Sequence, residues 1–246
     1  MKQAILAAVA SLILCAPSHA AVLFSQTLTG AGLQGDSNVT IFENPTLNGT
    51  SLDYTGRSTT RGALLRWDVL GASSYNDLTV TIQIDHTALN GPDNDLFIGI
   101  SDGVNVVAPT RTDGGTIRTY DGTVGGTPAA PTLALDGTGV SDILGSLGSV
   151  DPITLSFLLP SDGSNTTLLS VEENGSSVSN VVLDRALTVD DGLQFFLFGD
   201  NVSEQYAINS ISITVAEADP VPAPGALGIF ALGLIGLDYR RIRQIA

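Results

Sequence analysis

The residues best suited to chemistry lie between His86 and Asn105, in HTALNGPDNDLFIGISDGVN. Asn90, Asp93, Asn94 and Asp95 precede a short apolar run, and Asp102 and Asn105 follow it. Calcium takes six to eight hard oxygens from carboxylates, amides and main-chain carbonyls, so Asp93, Asp95 and Asp102 are candidate ligands for a Ca2+ ion. The same residue types suit any tight turn, because short polar side chains bond their own backbone and glycine supplies positive φ. The twelve-residue calcium loop with glycine sixth and glutamate twelfth is absent, as is the glycine-rich calcium nonapeptide. Metal binding and turn formation both stand as readings of this stretch.

Catalytic chemistry finds less material. His86 is the one histidine left if a leader carrying His19 is removed, and no G-x-S-x-G element accompanies it. His86 is therefore expected as a surface histidine. A glycosidase needs two carboxyls flanking a sugar, but Glu172 and Glu173 are adjacent and would point to opposite faces of a strand. No catalytic residue is assigned. A glycan can instead be held by aromatic rings, and the candidates are Tyr54 and Tyr120, which stand in polar stretches. Trp67 alternates with Leu65 and Val69 and is expected in the core.

The elements that would carry these residues are strands. Apolar residues alternate in 65–69, 78–84, 153–159 and 208–215, which gives one buried and one wet face. Stretches 96–100 and 193–198 are more continuously apolar, as strands covered on both faces are. Asp-Gly or Asn-Gly pairs recur at Asp102, Asp121, Asp136, Asp162, Asn174 and Asp191, and supply the positive φ of tight turns. Residues 114–131 are rich in glycine, threonine and proline and are expected as a long loop; Val140 to Leu147 carries the one hint of a short helix. The expected fold is all-β, a two-sheet antiparallel β-sandwich of jelly-roll kind with ten to thirteen strands over residues 21–215. In general outline this is similar to concanavalin A-like lectin and carbohydrate-binding sandwiches.

Between Ala21 and Asp219 there are 24 carboxylates and six arginines, a net charge of −18. Such a surface repels phosphate backbones and argues against a nucleic-acid partner. Divalent cations and neutral glycans remain compatible with it.

The two ends carry the remaining signals. Met1-Lys2, the apolar stretch 4–16 and Ser18-His19-Ala20 form a secretory signal peptide over 1–20, to be cut by signal peptidase between Ala20 and Ala21. That cut removes the single cysteine, Cys15, so the mature body has neither disulfide nor thiol. Residues 216–224 read as an acidic, proline-bearing linker. Residues 225–239 follow as an apolar helix, and 240–246 as a basic tail. The uncharged run 221–237 would span about 25 Å as a helix, just short of a hydrocarbon core of roughly 30 Å. Arg240, Arg241 and Arg243 would stay on the cytoplasmic side.

Pro222-Ala223-Pro224, the Gly/Leu/Ala-rich helix and the arginine cluster together resemble the PEP-CTERM sorting signal of Gram-negative, exopolysaccharide-producing bacteria. Ala223 stands where that family usually has glutamate, and Asp238 intrudes beside the arginines. The resemblance implies transient anchoring in the inner membrane, an exosortase as processing partner, and release to the cell surface or exopolysaccharide matrix. An uncleaved C-terminal anchor is the alternative. The resulting expectation is a noncatalytic exported matrix protein that binds glycan or calcium, against a secreted jelly-roll polysaccharide-active enzyme.

Overall fold

A computed structural model describes residues 20–56, 58–88, 96–111, 117–135, 140–144, 152–173 and 176–218. The signal segment 1–19, Asp93 and Asp95, the motif Pro222-Ala223-Pro224, the helix 225–239 and Arg240, Arg241 and Arg243 lie outside the described residues.

Among the described residues sixteen strands form two antiparallel sheets. The first sheet contains β1 (Val22–Thr29), β3 (Thr46–Asn48), β4 (Ser51–Tyr54), β6 (Leu78–Ala88), β12 (Ile153–Leu159), β13 (Thr167–Glu173), β14 (Ser176–Val182) and β16 (Tyr206–Glu217). Its order is β14-β13-β12-β6-β16-β4-β3, with β1 continuing the β4 edge along β16. The second sheet contains β2 (Val39–Ile41), β5 (Ala63–Leu70), β7 (Leu96–Ser101), β8 (Asn105–Arg111), β9 (Ile117–Thr127), β10 (Ala130–Leu135), β11 (Val140–Leu144) and β15 (Leu193–Gly199). Its order is β10-β9-β8-β7-β15-β5-β2, with β11 on the start of β9. A short helix, α1 (Gly30–Gly35), follows β1 and is capped by the Thr29 hydroxyl, which accepts from the Gly32 amide.

Period-two patterning builds the sandwich. In β6, Leu78, Val80, Ile82 and Ile84 face inward; Ile153, Leu155, Phe157 and Leu159 of β12 do the same beside them. Trp67 is buried in this core and meets Phe24 edge to face at 5.8 Å. The outward side of the first sheet is a hydroxyl face. Ser25, Thr214, Thr81, Ser156 and Ser170 occupy successive strands in register. Ser25 and Thr214 are hydrogen-bonded at 3.1 Å, and Thr27 donates to Ser212 at 2.8 Å.

The second sheet has apolar residues on both faces. Along β15, Phe195 and Leu197 enter the central core, whereas Phe196 and Phe198 turn outward and stack with centroids 5.1 Å apart. They join Phe42, Ala63, Phe97, Val106, Ala108 and Leu133 in a second core. The sheet curls around this core until β10 returns towards β5: Thr132 bridges Gly62, and the Leu133 amide donates to Arg61 O at 3.0 Å. This curl explains why β7 is buried at every position and reads as a continuous apolar run.

Several expectations are corrected here. The stretch expected as a loop at 114–131 contributes the hairpin strands β9 and β10, and Asp121-Gly122 lies within β9 rather than at a turn. Gly122 is needed where β10 crosses closely, since a Cβ there would overlap the Ala134 carbonyl oxygen. Residues 140–144 form a strand on β9, not a helix. The last strand runs to Glu217, so Ala216 and Glu217 belong to the sheet rather than to a linker. At the other end the Glu217 amide donates to Ala21 O at 2.9 Å, so pairing begins at the residue after the expected signal cut.

Candidate functional site

A cleft of about 340 Å³ opens at the mouth of the curled sheet. Three parts of the chain build it. Strands β5 and β15 supply the floor with Arg66, Gln194 and Phe196; the β7–β8 turn supplies Gly103; and the β9–β10 hairpin supplies a wall from Val124 to Pro128 and Pro131. Barrel mouths are common ligand positions, and this volume is at the small end of the range for such pockets.

The floor residues are placed by alternation. Arg66 and Asp68 lie between the inward-facing Leu65, Trp67 and Val69, so their side chains leave the core on the side of Phe196. Gln194 pairs with Asp68 across the β5–β15 ladder. Gln194 Nε2 donates to Asp68 Oδ1 at 2.8 Å, and Arg66 Nε lies 3.3 Å from the same oxygen. Arg66 also donates through Nη2 to Thr40 Oγ1 at 3.4 Å. The wall is main chain and small residues: Gly126 has φ +74, a conformation that favours glycine, and it lets the hairpin turn back at Thr127.

The Gly103 turn is braced from behind by Asp102, which is 8% exposed. Asp102 Oδ1 accepts from the amides of Val104 at 2.9 Å and Asn105 at 2.7 Å, while Oδ2 accepts from the Thr188 amide at 3.0 Å and Asn105 Nδ2 at 3.2 Å. Burial opposes the charge on Asp102, but the donors from Thr188, Val104 and Asn105 outweigh it and hold the carboxyl below its ordinary range. Asn105 Oδ1 in turn accepts from Arg185 Nη1 at 2.6 Å. Nearby, burial pushes the Asp121 carboxyl up; the Asp184 amide pulls against this at 3.0 Å, and the Asp184 charge adds to it.

The residues expected to act are scattered by this geometry. Asp102 is a calcium candidate in sequence, but here its four contacts are all protein donors and it fastens two loops. Asp93 and Asp95 lie outside the described residues, and among the described residues no three His, Cys, Asp or Glu side chains gather as a metal group.

Tyr54 is corrected from an exposed sugar-stacking candidate to a core residue. It alternates with Leu52 in β4, is 0% exposed, and donates its hydroxyl to Leu64 O at 2.8 Å. His86 is corrected from surface to core: it continues the inward row of β6 and is 2% exposed. Tyr120 is half-buried against the second core, edge to face with Phe97 at 5.4 Å, and does not line the cleft.

Sequence reasoning passed over Arg66, Asp68 and Gln194. The available signal was a charged pair inside a strand opposite a doubly apolar one, which places charge at the rim of a covered face.

No protein-family model matches this chain, and no curated protein matches it. Solved structures resemble it in fold. Among them are peanut lectin with a nine-residue peptide, at 11% identity and TM-score 0.42 over 78% of this chain and 96% of that one. A legume lectin-like domain from Entamoeba histolytica has 6% identity and TM-score 0.49 over 78% and 97%. The alginate lyase Aly36B has 10% identity and TM-score 0.44 over 84% and 100%.

Proposed function

We propose that this is a noncatalytic, exported β-sandwich that binds glycan of an extracellular matrix in the cleft at the mouth of the curled sheet. The observation that carries this reading is the lining of the cleft. A guanidinium, a side-chain amide and exposed glycine main chain converge there above the buried Phe196, which suits hydroxyl-rich ligands. The carboxylate beside the floor, Asp68, accepts from Gln194 Nε2 at 2.8 Å and is paired with Arg66 at 3.3 Å. The alternative is a polysaccharide-active enzyme.

Export and sorting rest on the two ends. The signal over 1–20, the Pro222-Ala223-Pro224 motif and the terminal arginines supply a route through the inner membrane to an exosortase. Among the described residues no helix is long and apolar enough to cross a membrane.

The test is polysaccharide pull-down beside an assay for reducing ends or unsaturated products. Binding without product release, weakened at least tenfold by Gln194→Ala, is expected; product release would favour the enzyme. The mass of the mature protein tests the rest, with a start at Ala21 and loss of the arginine tail as the expected result. An intact C-terminus at Ala246 in a strain carrying the exosortase would refute processing.

A further inference from the structure

Building on the glycan reading above, we propose that the cleft selects neutral sugars bearing adjacent hydroxyls and discriminates against uronates. Arg66 is the one cation among the described lining residues, and it is already answered from within the protein. Its Nη2 donates to Thr40 Oγ1 at 3.4 Å, and its buried Nε lies 3.3 Å from Asp68 Oδ1 as an ion pair without a hydrogen bond, so the carboxylate answers the charge of the guanidinium. Recognition of a carboxylate by arginine draws its strength from two parallel N–H donors and an unopposed charge. Here Asp68 removes the unopposed charge. The body's net charge of −18 adds repulsion at longer range.

Asp68 also sets the orientation of Gln194. With Nε2 donating to the carboxylate, the amide oxygen is the group left on the Gly103 side, where a Cβ on Gly103 would come within 3.9 Å of it. The cleft therefore sets an acceptor, Gln194 Oε1, beside the remaining arginine donors. A vicinal diol satisfies both, one hydroxyl donating to the amide oxygen and its neighbour accepting from the guanidinium. A carboxylate has no proton for Gln194 and brings a second anion next to Asp68. Phe196, 2% exposed and stacked on Phe198, backs the floor beneath these groups.

The experiment is calorimetric titration of the mature protein with neutral glucose-, mannose- and galactose-based oligosaccharides and with an alginate oligosaccharide of equal length. A second titration uses Asp68→Asn, with folding checked through Trp67 fluorescence. The expected result is binding of at least one neutral sugar, tenfold or more above alginate, and a shift of that ratio towards alginate by at least fivefold in Asp68→Asn. Preference of the unmodified protein for alginate, or an unchanged ratio in Asp68→Asn, would overturn the selectivity while leaving glycan binding in place. Absence of binding to every sugar would overturn the glycan reading itself.

Discussion

Replacing Tyr54 with phenylalanine should destabilise the protein at neutral pH and stabilise it at alkaline pH. The hydroxyl is fully buried and donates to Leu64 O at 2.8 Å. That carbonyl also accepts from the Phe42 amide at 2.9 Å, so losing the hydroxyl does not orphan it. The cost at pH 7 is then near the ordinary net value of a hydrogen bond, about 1 kcal/mol. Burial raises the Tyr54 phenol well above its ordinary value near 10. Above that value the unfolded chain releases a proton that the folded chain keeps, so folding stability falls with rising pH. For one such group the loss reaches about 1.4 kcal/mol at pH 11. Phenylalanine has no proton to release, so the two stability curves should cross between about pH 10 and 11. Urea unfolding read through the single tryptophan, Trp67, at pH 7, 9, 10.5 and 11 measures this directly. The other tyrosines are common to both proteins and cancel in the difference. Parallel curves, or a Tyr54→Phe variant that loses glycan binding with no change in stability, would refute the placement of Tyr54 in the core.

Other outcomes follow from the same geometry. Asp102→Ala leaves the Thr188, Val104 and Asn105 amides without their acceptor and should cost about 2–3 kcal/mol, a fall in Tm of about 5–10 °C. Because the folded carboxyl titrates below the unfolded one, that contribution is present above about pH 4. It is lost as pH falls through the folded value, so the two melts should converge in acid. Any rise in Tm on adding millimolar calcium after chelation should survive Asp102→Asn, since its oxygens serve the loops; a rise abolished by that change would restore it as a ligand. Gly122→Ala sets a methyl against the Ala134 carbonyl oxygen and should push β9 and β10 apart, costing about 1–3 kcal/mol in urea unfolding and weakening sugar binding. Trp67 emission should be blue-shifted and resistant to iodide quenching, as its full burial requires.

Much of the sandwich was legible because alternation is a direct image of a one-sided strand. Strands β6, β12 and β16 read correctly, and the more continuously apolar character of 96–100 and 193–198 announced a second covered face. What covers it was not legible. The β9–β10 hairpin owes its path to Gly122, Gly125 and Gly126, and glycine reads in a sequence as loop even where it marks a close strand crossing. Tyr54 was misplaced because Asp53 and Thr55 flank it, although its alternation with Leu52 is that of a strand. The cleft escaped because its parts come from β5, β15, the β7–β8 turn and a distant hairpin, and only the curl of the sheet brings them together. Asp102 was found by residue type, but a carboxylate that braces turns and one that binds metal have the same sequence; the four donors around it distinguish them.

The most direct measurement is a titration of the 15N-labelled mature protein with a neutral oligosaccharide, followed by 1H–15N spectra. Shifts concentrated at the amides of Gly103, Gly125, Gly126 and Thr127 and at the Gln194 side-chain amide are predicted. Shifts confined to the hydroxyl face around Thr214 and Thr81, or none at saturating sugar, would contradict a glycan site at the mouth of the curled sheet.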